Sequence, residues 1–232
     1  MLLMAHRFFV LAINGAVTDD FTTVYSALRR FVEGIPVYNE VYHFVDPHYL
    51  YNPGATLLLA PLGYITHFTL ARWMFIAVNL LAIVLAFGLL TRLSGWALRS
   101  MVWPIAIALA MLTETVQNTL IFSNINGILL LMLAIFLWCV VHKKSWLGGL
   151  VIGLAILIKP MFLPLLFLPL VKKQWGSLIL GILTPVIFNA VAWFLVPGAS
   201  DYVTRTMPYL GESGDFPNSS LPGLATYFGM PT

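Results

Sequence analysis

Only one of this chain's nine acidic residues, Glu114, lies between Pro47 and Ser200. Asp19, Asp20, Glu33, Glu40 and Asp46 sit near the start, and Asp201, Glu212 and Asp215 in the tail. A soluble domain keeps roughly a quarter of its residues charged and spreads them over its surface. Here 9% are charged, 60% are apolar and the mean hydropathy is +0.90. So little polar cover suits a bilayer rather than water. The carboxylates gather where chemistry on a polar substrate would occur.

Apolar runs set the spans. A crossing helix needs about 20 residues. Residues 69–91 and 176–196 meet that length, the second stopped by Pro197-Gly198. Residues 101–120 and 126–141 form two more. Residues 1–14 are short for a span, and residues 145–158 and 161–171 are a short pair broken at Lys159-Pro160. The pattern predicts an all-α membrane protein with about seven transmembrane segments.

Charge orients them. Arg92 and Arg99 flank one connection, Lys143-Lys144 mark a second and Lys172-Lys173 a third. Placing all three in the cytoplasm satisfies the positive-inside rule. Parity then puts residues 15–68, 113–125, 159–160 and 197–232 outside, and nearly all the acids with them. Residues 145–158 and 161–171 become an out-and-back hairpin with Lys159 at its outer tip. The same parity requires residues 54–66 not to cross.

The first outer loop, residues 15–68, is predicted to carry two interfacial helices. In residues 21–32, Phe21, Val24, Tyr25, Leu28 and Val32 fall at helical spacing with Arg29 and Arg30 off the stripe, an amphipathic pattern suited to a membrane surface. Thr18, Asp19 and Asp20 precede it as capping candidates. Residues 54–66 form a second short helix after Asn52-Pro53.

Several classes are excluded. The net charge of +3 and pI near 9.1 come from Lys and Arg at helix ends, so no nucleic-acid partner is implied. One cysteine, Cys139, rules out a disulfide framework. The opening apolar stretch runs into Ile13-Asn14-Gly15 without a small-residue cleavage pattern. There is no P-loop, no GxGxxG, no zinc-type Cys/His spacing and no internal repeat.

A first span, an acidic pair opening a large outer loop, two interfacial helices and a helix bundle together resemble the GT-C class of polyprenyl-phosphate-dependent glycosyltransferases. Within it, the chain resembles the branching α-(1→3)-arabinofuranosyltransferases of mycobacteria and corynebacteria from about residue 12 to the end. The resemblance is carried by Thr18-Asp-Asp-Phe-Thr-Thr-Val-Tyr25, Val37-Tyr-Asn-Glu40, Val45-Asp-Pro-His-Tyr-Leu-Tyr51, Thr113-Glu-Thr115 and Asn124-Ile-Asn-Gly127. Leu157-Ile-Lys-Pro160, Thr204-Arg-Thr206, Pro208-Tyr209, Asn218-Ser-Ser220 and Tyr227-Phe-Gly229 continue it in the same order. It implies a single transmembrane GT-C-like domain over residues 1–232, with further helices beyond the C-terminus. It also implies a multi-pass protein of the plasma membrane whose active site faces outward. The implied donor is decaprenyl-phosphoryl-β-D-arabinofuranose, the acceptor an arabinan chain of arabinogalactan or lipoarabinomannan, and the product an α-(1→3) branch. A β donor giving an α product means inversion. No cofactor beyond the lipid-linked donor is expected, and a metal requirement is left open.

Inversion by single displacement needs a carboxylate to take the proton of the attacking hydroxyl. It also needs positive charge or donors on the departing phosphate. The motif match makes Asp20 the base, with Asp19 second; the alternative is that both merely cap the following helix. Lys159 is either a grip on the donor phosphate or a side chain snorkelling to the interface. Arg205 is a further phosphate candidate, or an anchor for the tail on lipid headgroups. Asp46, His48 and Tyr49, with Tyr51, form a polar-aromatic cluster suited to sugar binding, against the alternative of an interfacial aromatic belt. His48 has only His43 and Asp46 nearby, so no metal ligand set is assigned. Glu114 and Asn124, in a polar stretch with Gln117, Asn118 and Asn126, either line the acceptor groove or satisfy a helix–helix turn.

Other classes stay open at this point. A transporter would show broken helices too, but also a repeat and mid-membrane charges. A non-catalytic assembly subunit would tolerate loss of Asp20, Asp19 and Lys159. A mannosyltransferase using polyprenyl-phosphate mannose shares the architecture, and only the motifs favour arabinose over it.

Overall fold

The computed structural model describes residues 20–40 and 49–211, and the described residues are helical with no strand. The spans at 1–14 and the positions Asp19, Asp46 and His48 lie outside the described residues.

Helix α1 (Asp20–Val32) opens with its acid at the positive end of the helix dipole and closes with Arg29 and Arg30 at the negative end. Its apolar stripe is real, but Phe21, Val24, Tyr25 and Leu28 are buried by protein rather than left for lipid. Phe21 and Tyr25 pack with Ala71 and Phe75, while Val24, Ala27 and Leu28 pack with Val37, Tyr38, Ala192 and Val196.

Helix α2 (Pro53–Leu59) is started by Asn52, whose Oδ1 accepts from the Ala55 amide at 2.9 Å, with Pro53 at the first helical position. A 3₁₀ turn at Ala60–Tyr64 follows it, so residues 54–66 form two short helices instead of one. Pro61 explains the change, because it has no amide to continue the α ladder.

The long helices are α3 (Phe68–Leu93) and α9 (Trp175–Leu195), the two described helices long and apolar enough to cross a membrane. Between them lie α4 (Val102–Leu112), α5 (Glu114–Ile121), α6 (Asn126–Val141) and α7 (Ser145–Ile158). A 3₁₀ segment (Pro160–Leu166) and α8 (Phe167–Val171) complete the series. The run 101–120, expected as one span, is instead broken: α4 and α5 are bent by 70°. Thr113 causes the break. Its backbone is extended, and its Oγ1 caps α5 by accepting from the Val116 amide. Taken as one bent span, the pair raises the number of candidate crossings to three.

Small residues let α7 and α9 approach closely. A Cβ at Gly149 would sit 2.7 Å from the Gly176 carbonyl oxygen, and one at Gly153 2.7 Å from the Thr184 Cβ. Polar ties close both ends of the bundle. At one end the Asn52 Nδ2 donates to the Leu157 carbonyl (2.6 Å), and the Gly54 amide donates to Asn189 Oδ1 (3.1 Å). At the other, Ser177 Oγ donates to the Ser145 carbonyl (2.6 Å), and Gln174 Nε2 to the Val140 carbonyl (2.8 Å).

Large apolar side chains point away from the protein, among them Leu81 and Leu85 on α3 and Val186, Ile187 and Phe194 on α9, the last 86% exposed. An exposed apolar surface of this extent marks a face that meets lipid or another protein surface. The described residues form a helical bundle with two helices, or three spans if the bent pair counts as one, long and apolar enough to cross a membrane.

Candidate functional site

The site lies at the end of the bundle where α1 begins, α5 turns into α6 and α7 stops. Asp20, at the head of α1, is exposed and lines a small crevice with Val24, Tyr51, Leu59, Phe75, Ser123, Asn124 and Ile125. Lys159 follows the last residue of α7, where Pro160 forbids another turn. Its half-buried Nζ donates to Asn126 Oδ1 at 2.7 Å. Burial holds the Lys159 ammonium below the usual lysine range, and the Asp20 carboxylate acts in the opposite direction. Asp20 also adds to burial in pushing the Tyr51 phenol upward. One carboxylate is therefore felt by both a lysine and a tyrosine from distant parts of the sequence.

The turn between α5 and α6 joins the two groups. Ser123 has a left-handed backbone (φ 51°), with its amide on the Leu120 carbonyl and the Asn124 amide on the Thr119 carbonyl. This is the Schellman end of a helix, where glycine is usual. Serine there costs about 1 kcal/mol. Asn124 Oδ1 accepts from the Asn126 backbone amide at 3.1 Å, so the residue that lines the Asp20 crevice and the residue that holds Lys159 are tied together. Asn79 Oδ1 accepts from the Ile128 amide (3.2 Å), satisfying a donor in the first turn of α6.

Lys159 and Asn126 line a cleft of about 380 Å³. Thr115 and Thr119 add hydroxyls, while Ile83, Leu129, Leu130, Leu133, Met161 and Phe162 give it an apolar wall. A mostly apolar lining with a few polar groups and one cation suits an amphiphile with a charged head.

The remaining candidates fall in different places. Asn124 lines the Asp20 crevice. Glu114 is exposed at the start of α5, and its neighbours Thr115 and Val116, rather than Glu114 itself, line the cleft. Tyr49 is 4% exposed, bonded through its hydroxyl to Thr56 (2.9 Å) and packed against Tyr38 and Tyr51, so it supports the site from within the core. Arg205 is exposed on a π-helical turn (Tyr202–Thr206) that leads into α10 (Met207–Gly211), and lines neither crevice nor cleft. Among the described residues no group of three or more His, Cys, Asp or Glu side chains is placed to hold a metal ion.

Sequence reading missed Arg72. It lies in the first turns of α3, is 6% exposed, and donates from Nε to Ser123 Oγ (3.3 Å) and from an Nη to the Ile121 carbonyl (3.4 Å). A charge inside an apolar span was the signal available for it.

Comparison with known proteins identifies a family. The profile of glycosyltransferase family 87 matches residues 49–232. The chain belongs to that family. It is 98% identical over its whole length to an α-(1→3)-arabinofuranosyltransferase of Corynebacterium glutamicum, and covers 56% of that protein. It is 46% identical to the α-(1→3)-arabinofuranosyltransferase of Mycobacterium tuberculosis and 42% identical to that of Mycolicibacterium smegmatis, covering 54% of each. The chain thus spans about half the length of these curated relatives. No solved structure matches it. The relatives carry the name that the sequence motifs resembled, and the family 87 match includes the turn, the cleft and Lys159.

Proposed function

We propose that this family 87 chain forms the donor-side half of a membrane arabinofuranosyltransferase. It takes arabinofuranose from a polyprenyl-phosphate donor and adds it to an arabinan chain in α-(1→3) linkage with inversion. The observation that carries this reading is the pair of neighbouring sites served by the 124–126 turn: Asn124 lines the crevice of Asp20, and Asn126 binds Lys159 beside a mostly apolar cleft. The relatives' printed activity supplies the sugar and the linkage.

In the proposed reaction an Asp20 carboxylate oxygen accepts the proton of an acceptor 3-hydroxyl as the hydroxyl's own oxygen attacks the anomeric carbon. The bond from that carbon to the phosphate oxygen breaks, and polyprenyl phosphate leaves. Lys159 faces the charge that grows on the leaving phosphate, where a fixed cation acts most strongly on the transition state. Asp19 stands next in line as base. Asp46, His48, Glu114 and Asn124 remain candidates for sugar contacts, and Arg205 for a second phosphate contact. The proposed setting is the plasma membrane, with about seven spans counting the shorter helices and the site on the extracytoplasmic face. The lysine pairs Lys143-Lys144 and Lys172-Lys173, at the opposite end from the site, support that orientation.

The test is sugar transfer by the full-length protein in membranes, with polyprenyl-phosphoryl-arabinofuranose and a linear α-(1→5) arabinan. New 3-linked branches that fall by about 10³-fold or more in Asp20→Asn are the expected outcome. Transfer that persists in that variant at matched protein level removes Asp20 as the base.

A further inference from the structure

Arg72 has no part in the chemistry above, yet it is a buried cation at the back of the site. A guanidinium presents its donors in a rigid fork, which suits it to hold neighbouring backbone and hydroxyl groups in a fixed geometry. Its hydrogen bonds to the Ser123 hydroxyl and to the Ile121 carbonyl fall on the Schellman turn. That turn runs against backbone preference at Ser123, so something outside it has to hold it. The next residues carry the site: Asn124 lines the Asp20 crevice, and Asn126 binds Lys159.

We infer that Arg72 is a positioning residue for sugar transfer, holding the strained 121–124 turn so that Asn124 and Asn126 keep Asp20 and Lys159 in register. Arg72 acts through the turn and not on the substrate. The inference rests on the Asp20 and Lys159 reading given above.

The mechanism makes an unusual demand. If the turn is what Arg72 holds, relaxing the turn should replace it. Glycine adopts the left-handed region without strain, so Ser123→Gly supplies by sequence what Arg72 supplies by contact. In the full-length protein in membranes, Arg72→Gln is expected to lower kcat about 10-fold with donor KM within about twofold. The double variant Arg72→Gln/Ser123→Gly is expected to recover to within about threefold of the parent. A double variant as slow as the single overturns the inference. So does a donor KM that rises about 10-fold at unchanged kcat, which would place Arg72 on the donor phosphate. Where Arg72→Gln does not accumulate, Ser123→Ala decides, since it keeps the arginine and the strain and removes the acceptor, together with the long bond (3.4 Å) that the same hydroxyl donates to the Leu120 carbonyl. It is expected to lower kcat about threefold, and unchanged activity overturns the inference. Asp20→Asn is run beside these: activity in that variant marks failure of the site reading, whereas an inactive Asp20→Asn with no rescue by glycine marks failure of this inference alone.

Discussion

Replacing Lys159 by methionine separates chemistry from fold. The side chain keeps its length and apolar stem but loses the ammonium that donates to Asn126 Oδ1 at 2.7 Å. A hydrogen bond to a charged group contributes about 1.5–3 kcal/mol. Against that stands the cost of holding a half-buried cation, visible in the downward pull on Lys159. The two effects oppose each other, so stability should change by no more than about 1 kcal/mol. Transfer should not be spared. Removing one preorganised electrostatic group lowers kcat about 10²–10³-fold. The pH dependence follows from the same shift. Because the folded-state value lies below the unfolded one, the unfolded chain binds more protons between them. This group's contribution to stability therefore grows as pH rises through that window. Donor binding runs the other way: it needs the charged form and weakens on the alkaline side earlier than an ordinary lysine would allow. The assay is initial-rate transfer against pH, with thermal unfolding followed by intrinsic fluorescence. Transfer by Lys159→Met within about fivefold of the parent, on a protein of unchanged Tm, would refute the phosphate role.

Three further outcomes concern the scaffold. Asn52→Ala removes both the cap on α2 and the bond to the Leu157 carbonyl; it should destabilise by about 2 kcal/mol in thermal unfolding. Gly153→Ala places a Cβ 2.7 Å from Thr184 and 2.8 Å from the Leu180 carbonyl oxygen, so α7 and α9 must part, at about 1–3 kcal/mol by the same measurement. Lys143→Gly relieves a left-handed lysine (φ 56°) at the end of α6 and should raise stability by about 1 kcal/mol, read as a higher Tm in detergent.

The helices were legible where punctuation was strong. Lys159-Pro160 stops α7 as expected, and Ser145–Ile158 matches the predicted run. Residues 126–141 likewise match α6 end to end. Thr113 was not legible, because threonine is no helix breaker until its hydroxyl finds the Val116 amide, and hydropathy averages across the resulting bend. The stripe on α1 announced a buried face but not its partner: Ala71, Phe75 and Ala192 are far along the chain. The motif match singled out Asp20 as a candidate, and a charge between apolar segments singled out Lys159. Their link through Asn124 and Asn126 depends on a turn whose left-handed residue is a serine, which local pattern does not reveal. Arg72 was passed over because one arginine near the start of a span looks like a flank.

Lys143 and Lys173 both occupy the left-handed position just after a helix, and each closes its turn through its own amide. Glycine would fit the backbone better at either place. In the proposed orientation, however, those side chains are also what the insertion machinery reads when it decides which way the segment faces. Two selections then meet on one residue. Folding favours the small side chain, while biogenesis favours the cation. The lysines record a settlement in biogenesis's favour: a protein engineered for heat resistance at these sites would risk being threaded the wrong way round.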